Sequence, residues 1–97
     1  MTEGKFDDAI THFKEALNIS SDNASAHSNL GKSLGLQGKT TDAIPCFREA
    51  LRLKPAYLEA RYNLGRAYLA QNCIDEAIAE FTALYSVVRI SPRQSAA

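Results

Sequence analysis

The sequence predicts an all-α fold, an antiparallel helix-pair solenoid of about five helices. Three observations predict it. The chain aligns with itself at a shift of 34 residues without a gap, and a fixed period of that size marks stacked repeats. Within each unit, apolar residues recur at three- and four-residue spacing, the signature of one helix face, and strand-like alternation is absent. Gly, Pro and Ser/Asp/Asn clusters punctuate the apolar stretches at short intervals. The 97 residues suffice for one small domain. It is read as a half repeat at 4–23, full repeats at 24–57 and 58–91, and a tail at 92–97.

The internal matches fall where packing is most demanding. Residues 24–57 and 58–91 share Ala26/Ala60, Asn29/Asn63, Leu30/Leu64, Gly31/Gly65, Gln37/Gln71, Ala43/Ala77, Ile44/Ile78 and Phe47/Phe81. Residues 1–23 repeat in 35–57 through Gly4/Gly38, Lys5/Lys39, Asp8/Asp42, Ala9/Ala43, Ile10/Ile44, Phe13/Phe47, Glu15/Glu49, Ala16/Ala50 and Leu17/Leu51.

Each element follows from this register. The first helix, about 6–19, gathers Phe6, Ala9, Ile10, Phe13, Ala16 and Leu17, and Ser20-Ser21-Asp22-Asn23 is its loop. The second, about 24–37, sets Ala26, Leu30 and Leu34 on one face, and Gly38 ends it. The third, about 40–53, is expected to be capped by Thr40 or Thr41, with Asp42 complementing the helix dipole and Pro55 as the stop. Pro45 is expected at the edge of its first turn, where a missing N–H costs least. The fourth, about 58–71, carries Ala60, Leu64 and Tyr68; the fifth, about 74–90, carries Ala77, Ile78, Phe81, Leu84, Tyr85 and Val88. Short connections make neighbouring helices antiparallel. Gly31 and Gly65 are expected to face Ala43 and Ala77, letting helix backbones approach closely.

Charge and chemistry narrow the function classes. Eleven bases balance eleven acids, so the footprint of a nucleic-acid-binding surface is absent. The balance is uneven along the chain, with a net of −3 over residues 1–23 and +3 over 24–57; chance variation on solvated faces accounts for it as well as head-to-tail contact between chains does. No apolar run approaches the ~18 residues of a membrane helix, and the first residues lack the apolar core of a secretory signal. No membrane partner is expected, and a reducing, cytoplasmic compartment is the default. Cys46 and Cys73, with His12 and His27, lack metal-ligand spacing. Asp7-Asp8 and Asp75-Glu76 fit helix starts better than paired acid/base catalysts. Neither enzyme activity, a metal nor a cofactor is expected.

Leu30-Gly31, Leu34, Gly38, Ala43, Phe47, Ala50 and Pro55, followed by Leu64-Gly65, Tyr68, Ala77 and Phe81, resemble the tetratricopeptide repeat, and Gly4, Ala9, Phe13 and Ala16 match the second half of a preceding unit. The resemblance spans residues 4–91. There are departures. His27 and Arg61 replace the usual aromatic residue, Asn72 stands where Gly4 and Gly38 stand, Leu84 replaces the small residue at Ala16 and Ala50, and Arg89 replaces the proline. The last helix is therefore expected to pack less tightly, run longer or meet a different neighbour.

The resemblance implies a right-handed superhelix whose first-type helices line a concave groove for an extended peptide or partner helix. On that face stand Asn29 and Asn63, one per repeat, then Lys32 and Arg66, with Ser25, Ser28, Leu36, Glu59, Tyr62 and Ala70 around them. The asparagines resemble the family's ladder, whose amides can bond a ligand's backbone at donor and acceptor; packing between helices is the competing reading. Ser25 and Glu59 stand where the family's chaperone-tail clamp needs lysine, so recognition of such tails is not expected. The function implied is a non-catalytic scaffold for a protein or peptide partner. One alternative is a self-assembly module, a homodimer or longer array, through Phe6, Phe13, Phe81, Tyr85, Val88 and Ile90 on the terminal helices. The other is a recruiting arm of a larger enzyme. A piece of a longer repeat protein is the favoured explanation of the open ends, ahead of self-assembly.

Overall fold

Among the described residues the chain forms α1 (Thr2–Ile19), α2 (Ala24–Leu36), α3 (Thr40–Leu53), α4 (Leu58–Ala70) and α5 (Ile74–Ala96). This computed structural model describes the backbone of residues 2–96 and the side chains of residues 7–86. The expected helices are all present. Their starts and stops agree closely, except that α1 begins earlier and α5 continues through Ser91 and Pro92 to Ala96.

The turns between paired helices close in the same way twice. After α2, Gly38 adopts φ +87°, its N–H reaches the Gly35 carbonyl at 3.0 Å, and the Lys39 N–H reaches Leu34 at 2.8 Å. That is the left-handed C-terminal cap glycine favours. After α4, Asn72 takes the same role at φ 62°, with Asn72 N–H to Leu69 at 2.9 Å and Cys73 N–H to Tyr68 at 2.8 Å. Asparagine tolerates the left-handed region better than other side chains do, so the departure at Asn72 keeps the turn.

Three local expectations are corrected. Lys39, not a threonine, is the N-cap residue of α3, and it makes no side-chain cap bond; Thr41 instead donates to Gln71 Oε1 at 3.2 Å. The capped start is α2, where Asn23 accepts from the Ala26 N–H at 3.0 Å. Pro45 lies inside α3, past its first turn; it sits on the exposed side, where water can serve the carbonyl that loses its donor. Asp7-Asp8 fall beyond the first turn of α1, whose start is Thr2. Asp7 instead accepts from Gln37 Nε2 at 2.5 Å, tying α1 to the end of α2.

Consecutive helices pack on each other, and α2 also touches α4. The shared core is Ile10, Leu30, Leu34, Ala43, Phe47, Leu64 and Ala67, flanked by half-buried Phe13, Leu17, Ile44, Leu51 and Tyr68. The Ala26-Leu30-Leu34 face of α2 is buried as its spacing predicts. Gly31 and Gly65 serve close approach, and the nearest neighbours are the Phe47 and Phe81 rings, where Ala43 and Ala77 were expected. A Cβ on Gly31 would stand 2.9 Å from Phe47 Cε1 and 3.0 Å from Cys46 Cβ; one on Gly65 would stand 2.7 Å from Phe81 Cε1. The stack is elongated, 50 × 30 × 22 Å, with a radius of gyration of 14.7 Å against the ~13 Å of a compact chain this long. Among the described residues no helix is long and apolar enough to cross a membrane.

Candidate functional site

The side on which α2 meets α4 carries a cavity of about 210 Å³. Its walls combine Lys32, Gly35 and Leu36 from α2, Asn63, Arg66, Ala67 and Ala70 from α4, and Thr40, Ala43 and Phe47 from α3. Gly31 completes the floor. Five of the expected groove residues, Lys32, Leu36, Asn63, Arg66 and Ala70, thus converge on one hollow. Helical spacing explains the convergence: Lys32 and Leu36 lie one turn apart on α2, and Asn63, Arg66 and Ala70 lie at three- and four-residue intervals on α4.

The polar groups around the cavity differ in how they are satisfied. Lys32 Nζ stands 3.6 Å from Glu59 Oε2, and both side chains are exposed, a geometry that contributes only about 0.2–1 kcal/mol. Arg66 lies 5.8 Å from the centroid of the Tyr62 ring, and that ring leans on Phe81 at 6.1 Å. Tyr62 is exposed on its outer side. Asn63 Nδ2 is buried and has no hydrogen-bond partner among the described residues. A buried donor left unpaired costs about 1–3 kcal/mol. Asn29, its equivalent one repeat earlier, is half-buried and does not line the cavity.

The remaining expected groove residues are placed differently. Ser25 is exposed and outside the cavity, and Ser28 is only 2 % exposed, so it packs between helices and is not a groove residue. Gly35, Thr40 and Ala67 line the cavity without having been expected there. The signal was in the sequence at Gly35, where the next repeat has Leu69.

Elsewhere the chemistry is structural. His27 Nε2 donates to the Ser21 carbonyl at 2.9 Å. Arg61, at the equivalent position, donates through Nη2 to the Pro55 carbonyl at 3.1 Å and through Nη1 to Glu80 Oε1 at 2.9 Å. Both residues that replace the family's aromatic therefore hold the incoming loop through the same carbonyl position. Cys46 is half-buried, and burial, with Asp42 next, pushes its thiol up from the ordinary range. Arg52 bonds Glu49 on α3 and holds that carboxyl below its usual range. Among the described residues no group of three His, Cys, Asp or Glu could hold a metal ion. Of the terminal-helix residues, Phe13 packs on the core, Phe81 is half-buried beneath Gly65 and Tyr62, and Tyr85 is exposed. Phe6, Val88 and Ile90 lie outside the described side chains.

Two family models match the chain, one described as TPR repeat over residues 1–38 and one as Tetratricopeptide repeat over residues 29–95. The chain belongs to the tetratricopeptide repeat family. Repeats of this family are in general non-catalytic modules of protein interaction. Two crystal structures of MamA share the fold. One superposes with a TM-score of 0.86 at 22 % identity, covering 92 % of this chain and 52 % of that one. The other gives 0.75 at 25 % identity, over 79 % and 42 %. The chain thus spans about half the length of these MamA chains. No curated protein matches it.

Proposed function

We propose that this tetratricopeptide repeat chain is a non-catalytic scaffold that holds an extended segment of a partner protein in the groove between α2 and α4. The observation that carries the reading is the convergence of Lys32, Leu36, Asn63 and Arg66 from two helices on one hollow. Turned toward the groove, the Asn63 side chain would offer a peptide both its amide N–H and its carbonyl oxygen, which fixes an extended backbone at two points. Asn29 is the equivalent residue one repeat earlier, on α2. Lys32 and Arg66 favour a segment bearing carboxylate, and exposed Leu36 supplies apolar contact area.

The test is substitution of Asn29, Lys32, Asn63 and Arg66 together by alanine, with peptide binding followed by calorimetry and helicity by circular dichroism. Loss of binding at unchanged helicity is expected; unchanged binding rejects the groove.

One observation favours a second reading, self-assembly. Ile74, Ile78 and Tyr85 are 46 %, 56 % and 61 % exposed and share one face of α5 at helical spacing. Mass that rises with concentration, abolished by Ile78→Glu, would favour a second copy over that face.

A further inference from the structure

Position 35 breaks the repeat. It carries glycine where the next unit carries Leu69. One turn earlier, Gly31 has an internal reason to be glycine, because a Cβ there would strike the Phe47 ring. Gly35 has none: a Cβ built on it meets nothing within 4 Å. Its backbone is ordinary helix within α2, where glycine is the poorer helix former. The fold does not use this missing side chain. The cavity does, since Gly35 is part of its wall.

The surroundings state what would fill the space. Leu36 and Ala70 beside it are exposed, and Ala67 beneath them is apolar and buried. Among the described lining residues the charged ones are Lys32 and Arg66, both cations. Glu59 outside the cavity offsets Lys32, which leaves one net positive charge on Arg66, whose guanidinium lies over the Tyr62 ring and can take an anion.

We propose that the hollow over Gly35 is a specificity pocket that takes one apolar side chain of the bound segment, next to a carboxylate held by Arg66 and Lys32. This rests on the groove reading above and adds the class of ligand: an extended peptide with a Leu-sized residue adjacent to Asp or Glu, its backbone alongside Asn63. Glycine at position 35 sets the pocket's depth, and a larger residue there would close it.

The probes are N-acetylated, C-amidated hexapeptides that differ only at two central positions, Leu-Asp, Ala-Asp and Leu-Asn, titrated by NMR into the full chain. Leu-Asp should bind roughly tenfold tighter than Ala-Asp, the difference a buried leucine side chain supplies, and severalfold tighter than Leu-Asn. Gly35→Leu should abolish the preference for Leu over Ala while leaving the melting temperature unchanged or raised; Gly35→Ala should reduce it in part and guards against misfolding of the larger variant. Equal binding of Leu-Asp and Ala-Asp, or full Leu-Asp binding by Gly35→Leu, overturns the pocket. If the Asn29/Lys32/Asn63/Arg66 variant loses the peptide while Gly35→Leu keeps it, the pocket fails and the groove stands. Binding of no peptide up to millimolar concentration rejects both.

Discussion

Gly31 and Gly35 sit one turn apart on α2 and are glycine for opposite reasons. Gly31→Ala would press its Cβ against the Phe47 ring, which is 3 % exposed, and against Cys46 Cβ. Overpacking of this kind costs about 1–3 kcal/mol, and the gain in helix propensity returns at most about 1 kcal/mol. Gly35→Ala meets no such contact and should keep the propensity gain. Urea denaturation should therefore lower the midpoint for Gly31→Ala and raise it for Gly35→Ala; the reverse order would show that the ring yields. The sequence made both glycines legible as small positions but not their neighbours. Spacing assigns a face, whereas the contact atom depends on how far a side chain reaches: Phe47 extends over Gly31 where Ala43 was expected. Asn63 shows the same limit. Its place on the groove face followed from the repeat and the resemblance, but an unpaired amide is a property of three-dimensional surroundings.

At the scale of elements, the repeats are stitched by bonds that recur one period apart. Gln37 reaches Asp7, and Gln71 receives a bond from the equivalent Thr41. His27 and Arg61 each grip the loop before their own helix. Arg61 adds a bond to Glu80 on α5, and these two side chains are only 23 % and 20 % exposed. A double-mutant cycle with Arg61→Ala and Glu80→Ala should give a coupling of about 0.5–3 kcal/mol. The exposed Lys32–Glu59 pair should couple by no more than about 1 kcal/mol. Equal values would mean that burial does not strengthen the α4–α5 pair. Helix number and order were legible because glycine, asparagine and proline punctuate the repeat. The caps were less so: Asn23 and the threonines are all plausible capping residues, and only the backbone entering α3 decides that Lys39 holds the position and that Thr41 turns to Gln71. Arg89 in place of the proline allowed a longer last helix as one of three outcomes, and α5 does run on to Ala96, but the spacing alone did not choose among them.

At the scale of the molecule, stacking leaves two unlike surfaces. One is the side where α2 and α4 meet, with its hollow, its cations and its unpaired amide. The other is α5, with Ile74, Ile78 and Tyr85 toward solvent. The interaction class was legible only through the family resemblance that the period and its Gly, Ala and Phe positions carry. The choice between these surfaces was not, since exposure and convergence are set by packing. The central claim is that a partner segment occupies the first surface. It is tested most directly by following the side-chain amide of Asn63 in ¹H–¹⁵N spectra while the Leu-Asp peptide is added. The account predicts that this amide shifts progressively to saturation, together with the backbone amides of Lys32, Gly35, Leu36 and Arg66. Shifts confined to Ile74, Ile78 and Tyr85, with Asn63 unmoved, would contradict it and assign partner binding to α5.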